Sequence, residues 1–224
     1  TKARAEIDLA SARDSGELGF TARSLALASL PHSKPTEQEV TRINGDLQVT
    51  LLASKKVGLP YGVIPRLVIC WLATEVVKTK SREVVLGDSM SSFMRKLDML
   101  PTGGRWGSIR VTHHQDVEHS LEQGISFPLA DEREFWWTYE PEQKNLFESR
   151  VRLSESFYDE LIKNPLPIDL RALKALRKSP MAIDIYTWLT LRLFTVKRPV
   201  LVTWKQLQGQ FGAGYSNTSQ GRSE

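Results

Sequence analysis

The amino-acid sequence predicts an α+β chain built around two helix-turn-helix-like units, and three observations lead there. Apolar residues recur at three- and four-residue spacing in several stretches, separated by short β-branched runs and turn residues. The order helix, strand, helix occurs twice, from Val63 and again from Pro180, as a repeat of architecture without sequence identity. Charge is segmented: residues 1–60 carry +1, 61–112 carry +4, 113–160 carry −8 and 161–224 carry +7, so two basic blocks flank an acidic one.

The 224 residues, 41% hydrophobic and 25% charged, suit one large domain or two ordinary ones and exclude a disordered tail, a fibre or a coiled coil. The net charge of +4 says little by itself about partners. Cys70, the lone cysteine, sits in the apolar run 67–72 and reads as a small buried side chain in a reducing cytosol. Residues 63–77 are interrupted by Pro65, Arg66 and Glu75, too early for a membrane span, and the first residues lack a signal-peptide pattern. A cytoplasmic protein without a membrane partner is expected.

In chain order, residues 18–30 carry a weak helical pattern before Pro31 and Pro35, so 1–45 read as an N-terminal arm or linker. Residues 46–53 alternate as a strand, ended by the turn Gly58-Leu59-Pro60-Tyr61-Gly62. Ile64, Leu67, Val68, Trp71, Leu72 and Val76 then mark a core helix, with Pro65 tolerated in its first turn. Val84 to Leu86 read as a strand. Gly87-Asp88-Ser89 introduce a helix over 91–97, and Thr102 caps another running to about Leu121. Residues 134–139 and 146–153 predict a hairpin, Ser154 caps a helix carrying Phe157, Leu161 and Ile162, and Leu170, Leu173 and Leu176 stripe a short helix. Ser179-Pro180 start a central helix to about Val196. Val200 to Val202 read as a strand, and Thr203 with Gln206 form a capping box for a helix over 204–211.

At 100° per residue, the helix after Thr102 puts Trp106, Ile109, His113, Val117 and Leu121 on one face. Arg105, Ser108, Val111, Thr112, Gln115 and His119 share the other. Thr112 and Gln115 can bond base edges, Arg105 can take a guanine or a phosphate, and the amides at Gly103 and Gly104 suit a phosphate oxygen. Helix-turn-helix pairs also occur in unrelated bundles, so the spacing leaves a solvated helix face open as the alternative.

Other chemistries find less. His113, His114 and His119 with Asp116 and Glu118 lack metal-ligand spacing, so no metal is expected. There is no GxSxG, no P-loop, and Gly209, Gly212 and Gly214 follow a helix instead of opening one, so neither an enzyme nor a cofactor is expected. Asp131, Glu132 and Glu134 read as a solvated hairpin edge. Trp71, Trp106 and Trp188 lie on core stripes. Trp136 and Trp137 point to opposite faces of a strand, one of them toward solvent or a subunit contact.

The stretches GLPYGVIPRLVICWLATEVVKTKSREVVLG, SMSSFMRKLDMLPTGGRWGSIR, LSESFYDELIKNPLPIDLRALKALRKSPMAIDIYTWLTLRL and VTWKQLQGQFGAGY cover most of residues 58–215. They resemble the plasmid-encoded RepA-type replication initiators, most specifically in PTGGRWGSI. The resemblance implies two winged-helix domains in tandem, here 46–130 and 131–224. It implies a protein that binds direct repeats (iterons) in origin duplex DNA, helps open the origin and recruits the host initiator and replicative helicase. Relatives act as monomers at iterons and as homodimers that repress their own promoter, so a transcriptional repressor of the same fold is the alternative, with a non-catalytic dimerisation module behind it.

On that reading, the first domain's DNA contacts are Gly103, Gly104, Arg105, Ser108, Arg110, Thr112 and Gln115. The second domain's phosphate contacts are Lys174, Lys178, Lys197, Arg198 and Lys205, followed by Tyr215 and Asn217. Two features depart from the family. Arginines usual after GGRWG are replaced by Val111-Thr112-His113-His114. The family also continues past FGAGY with a basic helix, whereas this chain ends at Glu224, so the second winged helix is expected to be truncated.

Overall fold

The computed structural model describes residues 2–44, 47–52, 59–87, 95, 130–134, 149–196 and 198–211. Helices and antiparallel strands mix in it, as an α+β chain requires. Contacts divide the chain into two compact units, residues 1–70 with 166–224, and residues 71–165. The sequence pattern instead placed boundaries after residues 45 and 130.

The first unit opens with α1 (Lys2–Asp14), β1 (Leu18–Thr21) and α2 (Arg23–Leu27). β1 pairs antiparallel with β7 (Leu166–Asp169), Leu18 opposite Asp169 and Thr21 opposite Leu166. These elements correct the expectation of one weak helix over 18–30. They also place residues 1–45 in the body of a unit, since α1 packs on β7 and Ala12 and Ala22 are fully buried. A four-residue strand whose partner lies far along the chain leaves no local trace beyond alternation, which is why pattern alone read helix. A hairpin follows, β2 (Glu39–Asn44) with β3 (Leu47–Leu52), Asn44 opposite Leu47. Its second strand was expected and its first was not.

α3 (Val63–Thr79) is the expected core helix, and the division between the units falls inside it. Cys70 is buried there, and burial pushes its thiol up to about 11, so it is a neutral apolar side chain at physiological pH. The rest of the first unit is α5 (Leu170–Leu176), α6 (Pro180–Thr195) and α7 (Trp204–Phe211). α6 is its centre, packing on α1, α2, α5, α7 and β7. Ala26, Leu166 and Leu191 form one core cluster with Leu27 against it. Residues 200–202 form no strand: Val200 and Leu201 are exposed and unpaired with any ladder, so β-branched composition alone did not suffice.

The second unit holds the C-terminal half of α3, β4 (Glu83–Gly87), β5 (Ala130–Glu134), β6 (Ser149–Leu153) and α4 (Glu155–Lys163). Its antiparallel sheet has the order β4-β6-β5. β5 and β6 pair antiparallel, as expected of a hairpin; of the first strand expected over 134–139 only Glu134 is among the described residues, at the end of β5. Alternation buries Val84, Leu86, Val151 and Leu153 on one face, and Val76, Phe157 and Leu161 of the same unit are buried as well. Ser154 caps α4 as read, accepting from the Phe157 amide at 3.2 Å. Of the helix expected over 91–97 only Arg95 is described, and it is helical; the helix expected over 102–121 lies outside the described residues.

Candidate nucleic-acid interface

The second basic block folds as helix, three-residue turn, helix. Asp169 caps α5, its carboxylate accepting from the Arg171 amide at 2.8 Å and from the Arg171 guanidinium at 2.8–3.2 Å. Arg171 holds that carboxyl below its ordinary value, chiefly through the side-chain hydrogen bond. Leu173 turns into the core while Arg171, Lys174, Arg177 and Lys178 are exposed. The Arg177 amide closes on the Lys174 carbonyl and the Ser179 amide on Leu176. Ser179 then caps α6 from the Ala182 amide at 3.2 Å, with Pro180 in the first turn, where its missing N–H costs nothing. The result is a rigid corner with cations on its outer face.

What fixes α6 is a buried ionic lock that sequence reasoning did not find. The Arg66 guanidinium, 6% exposed, spends all five donors. Nε and Nη2 reach Asp184 Oδ1 and Oδ2 at 2.7 and 2.6 Å, Nη2 also reaches the Leu30 carbonyl at 2.6 Å, and Nη1 reaches the carbonyls of Pro31 at 3.3 Å and Gly62 at 2.5 Å. Asp184 Oδ2 is also 2.7 Å from His32 Nε2. Gly62, at φ +74°, offers that carbonyl in a backbone conformation L residues rarely adopt, and its amide donates to the Pro31 carbonyl. The only sequence signals are an Arg inside an apolar helix start and an Asp inside an apolar stripe.

α7 is anchored at one end and open at the other. Phe211 stacks edge-on to Trp188 at 5.6 Å, Arg192 lies 5.0 Å from the Trp188 ring, and the Gln210 amide donates to the Leu27 carbonyl at 2.6 Å. At the N-terminus the expected capping box is present: the Thr203 amide donates to Gln206 Oε1 at 2.8 Å and the Gln206 amide to Thr203 Oγ1 at 3.3 Å. Trp204, immediately inside it, is 87% exposed, and Leu201 is 96% exposed. Arg198 is exposed nearby in the chain.

In the second unit, Arg150 and Arg152 are exposed on the outer face of β6, and Arg150 reaches Glu83 at 2.7 Å. By register Glu132 stands opposite Arg152 and Glu134 opposite Arg150.

Of the sequence-predicted contacts, Lys174, Lys178 and Arg198 are exposed in the first unit, the two lysines on the α5 corner. Lys205 lies in the first turn of α7. Gly103, Gly104, Arg105, Ser108, Arg110, Thr112, Gln115, Lys197, Tyr215 and Asn217 lie outside the described residues, as do the histidines at 113, 114 and 119 and Trp106, Trp136 and Trp137. Among the described residues no group of His, Cys, Asp and Glu is disposed to hold a metal, and no helix is long and apolar enough to cross a membrane.

Residues 59–206 match the family model described as plasmid encoded RepA protein. The chain belongs to that family. The match takes in α3 to the start of α7, and with it both the Arg66–Asp184 lock and the basic α5–α6 corner. As a RepA-type protein the chain is a plasmid replication protein. No curated protein and no solved structure matches it.

Proposed function

We propose that this RepA-type protein is an origin-binding replication initiator that acts by recognition and strain on duplex DNA, without covalent catalysis. Family membership over residues 59–206 carries the reading. It is supported by exposed Lys174 on α5 and Lys178 in the turn after it, a cationic corner of the kind that neutralises phosphates. The second unit supports a winged-helix reading: β4, then residues 88–129, then the hairpin β5–β6 with β6 in the middle of the sheet. That interval is where a winged helix carries its helix-turn-helix pair, and residues 102–121 supply the base-reading face with Arg105, Ser108, Arg110, Thr112 and Gln115. In this reading the chain engages iterons and its own promoter, opens the origin and hands it to the host initiator and helicase.

Footprinting on the parent plasmid's origin, with permanganate reactivity of thymines on the supercoiled template, tests it. Protected direct repeats with reactive thymines are expected; protection of a duplex that stays closed would point to a repressor instead. Residue roles separate by competition: Thr112→Ala or Gln115→Ala costs about 1–3 kcal/mol on the repeat and little on random duplex, whereas Lys178→Ala weakens both and lowers the salt slope by about one. Equal losses on both DNAs for the first pair would remove them from base reading.

A further inference from the structure

The segment from Arg198 to Gln206 inverts the ordinary distribution of side chains. Val200, Leu201 and Trp204 are all exposed, Trp204 has no ring partner among the described residues, and along the chain they make an apolar step directly after exposed Arg198. A large exposed aromatic is costly to leave in water unless something covers it. The sequence on either side of it says what. From residue 185 to residue 223 the sequence contains no Asp or Glu, while Arg192, Lys197, Arg198, Lys205 and Arg222 lie in the same interval. An apolar protein partner needs no such exclusion of carboxylates; a polyanion does. The step is also held firmly. The Thr203–Gln206 box fixes the first turn of α7, and Phe211 and Gln210 anchor its last turn, so little order remains to be lost when a flat ligand meets the indole.

We infer that Trp204, with Leu201 beside it and Arg198 for the backbone, is a stacking platform for an unpaired base of single-stranded DNA. Bases inside a duplex have their faces covered by their neighbours, whereas an unpaired base offers a free face to an indole, and such stacking is indifferent to sequence. The assignment rests on the nucleic-acid reading above and adds a second form of DNA to it.

The test measures fluorescence anisotropy of a labelled oligodeoxythymidylate and of a labelled random duplex, at one salt concentration, with the whole chain. Trp204→Ala should weaken the oligothymidylate about five- to hundredfold, the range for one lost aromatic–base stack, and change duplex binding less than about twofold. Trp204→Phe, which keeps a ring, should stay within about threefold of the parent on both; circular dichroism confirms that the variants fold. Unchanged oligothymidylate binding by Trp204→Ala, or equal loss on both DNAs, overturns the platform and leaves duplex recognition standing. A parent chain that binds neither DNA overturns both readings. Self-association in sedimentation that Trp204→Ala abolishes, with oligothymidylate binding intact, would instead make the step a contact between copies.

Discussion

Two regions of the first unit break the rule that charge stays outside and apolar groups inside, and they break it in opposite directions. At the start of α6 an Arg, an Asp and a His are buried together; at the start of α7 and just before it a Val, a Leu and a Trp stand in water. The first region is complete in itself, because every guanidinium donor has an acceptor within the unit. The second is satisfied by nothing described within its unit. Buried charge of this kind stabilises one arrangement of the chain against others, while exposed apolar surface costs free energy until a partner arrives. One region reports on folding and the other on binding.

The sharpest way to break that division is to remove a partner from the lock. Asp184→Asn leaves the Arg66 charge buried without its counterion and should cost about 3–5 kcal/mol, a large part of a domain's stability, read as the urea midpoint. If the variant instead unfolds like the parent, the network is not what holds α6. A smaller effect belongs to Asp169. Its carboxyl is held below its ordinary value by Arg171, so its contribution is fully present above the unfolded value of about 3.9 and is lost as pH falls through the lower folded value. Asp169→Asn should therefore lower the thermal midpoint near neutral pH and converge on the parent in strong acid; a constant offset across the titration would assign the loss to the cap alone. The smallest effect is expected of Leu201→Ser, within about 0.5 kcal/mol of the parent, since its side chain contacts almost nothing in the folded chain. A loss comparable to Asp184→Asn would show that the segment is packed and that the contrast is false.

Which parts of the molecule could be read in advance follows the same line. α3, α4, α6 and α7 were legible because their determinants are local: Ser154, Ser179-Pro180 and Thr203 with Gln206 each announce a helix start within a few residues. β1 and β7 were not, because neither is a strand without the other, and the local sequence of residues 18–21 holds no record of 166–169. Arg66 and Asp184 meet across 118 positions and each looks, in its own helix, like an isolated charge in an apolar stretch. The cationic corner was legible as Lys174 between stripe leucines and Lys178 just after the last of them. Trp204 was not, because it stands at i, i+3 and i+7 with Leu207 and Phe211, a spacing that assigns all three to a core, whereas the structure buries only the far end.

The pairing of β1 with β7 also sets a timetable for synthesis. Residues 71–165 leave the ribosome as a complete set and can assemble while the chain is still growing, since every partner in the β4-β6-β5 sheet is among them. The first seventy residues emerge earlier and must wait, because Asp184 and the strand that Leu18 to Thr21 need are made only after the inserted unit is finished. Residues 1–70, made before that unit, thus find their partners only after it, and closing so long a loop makes that step slow.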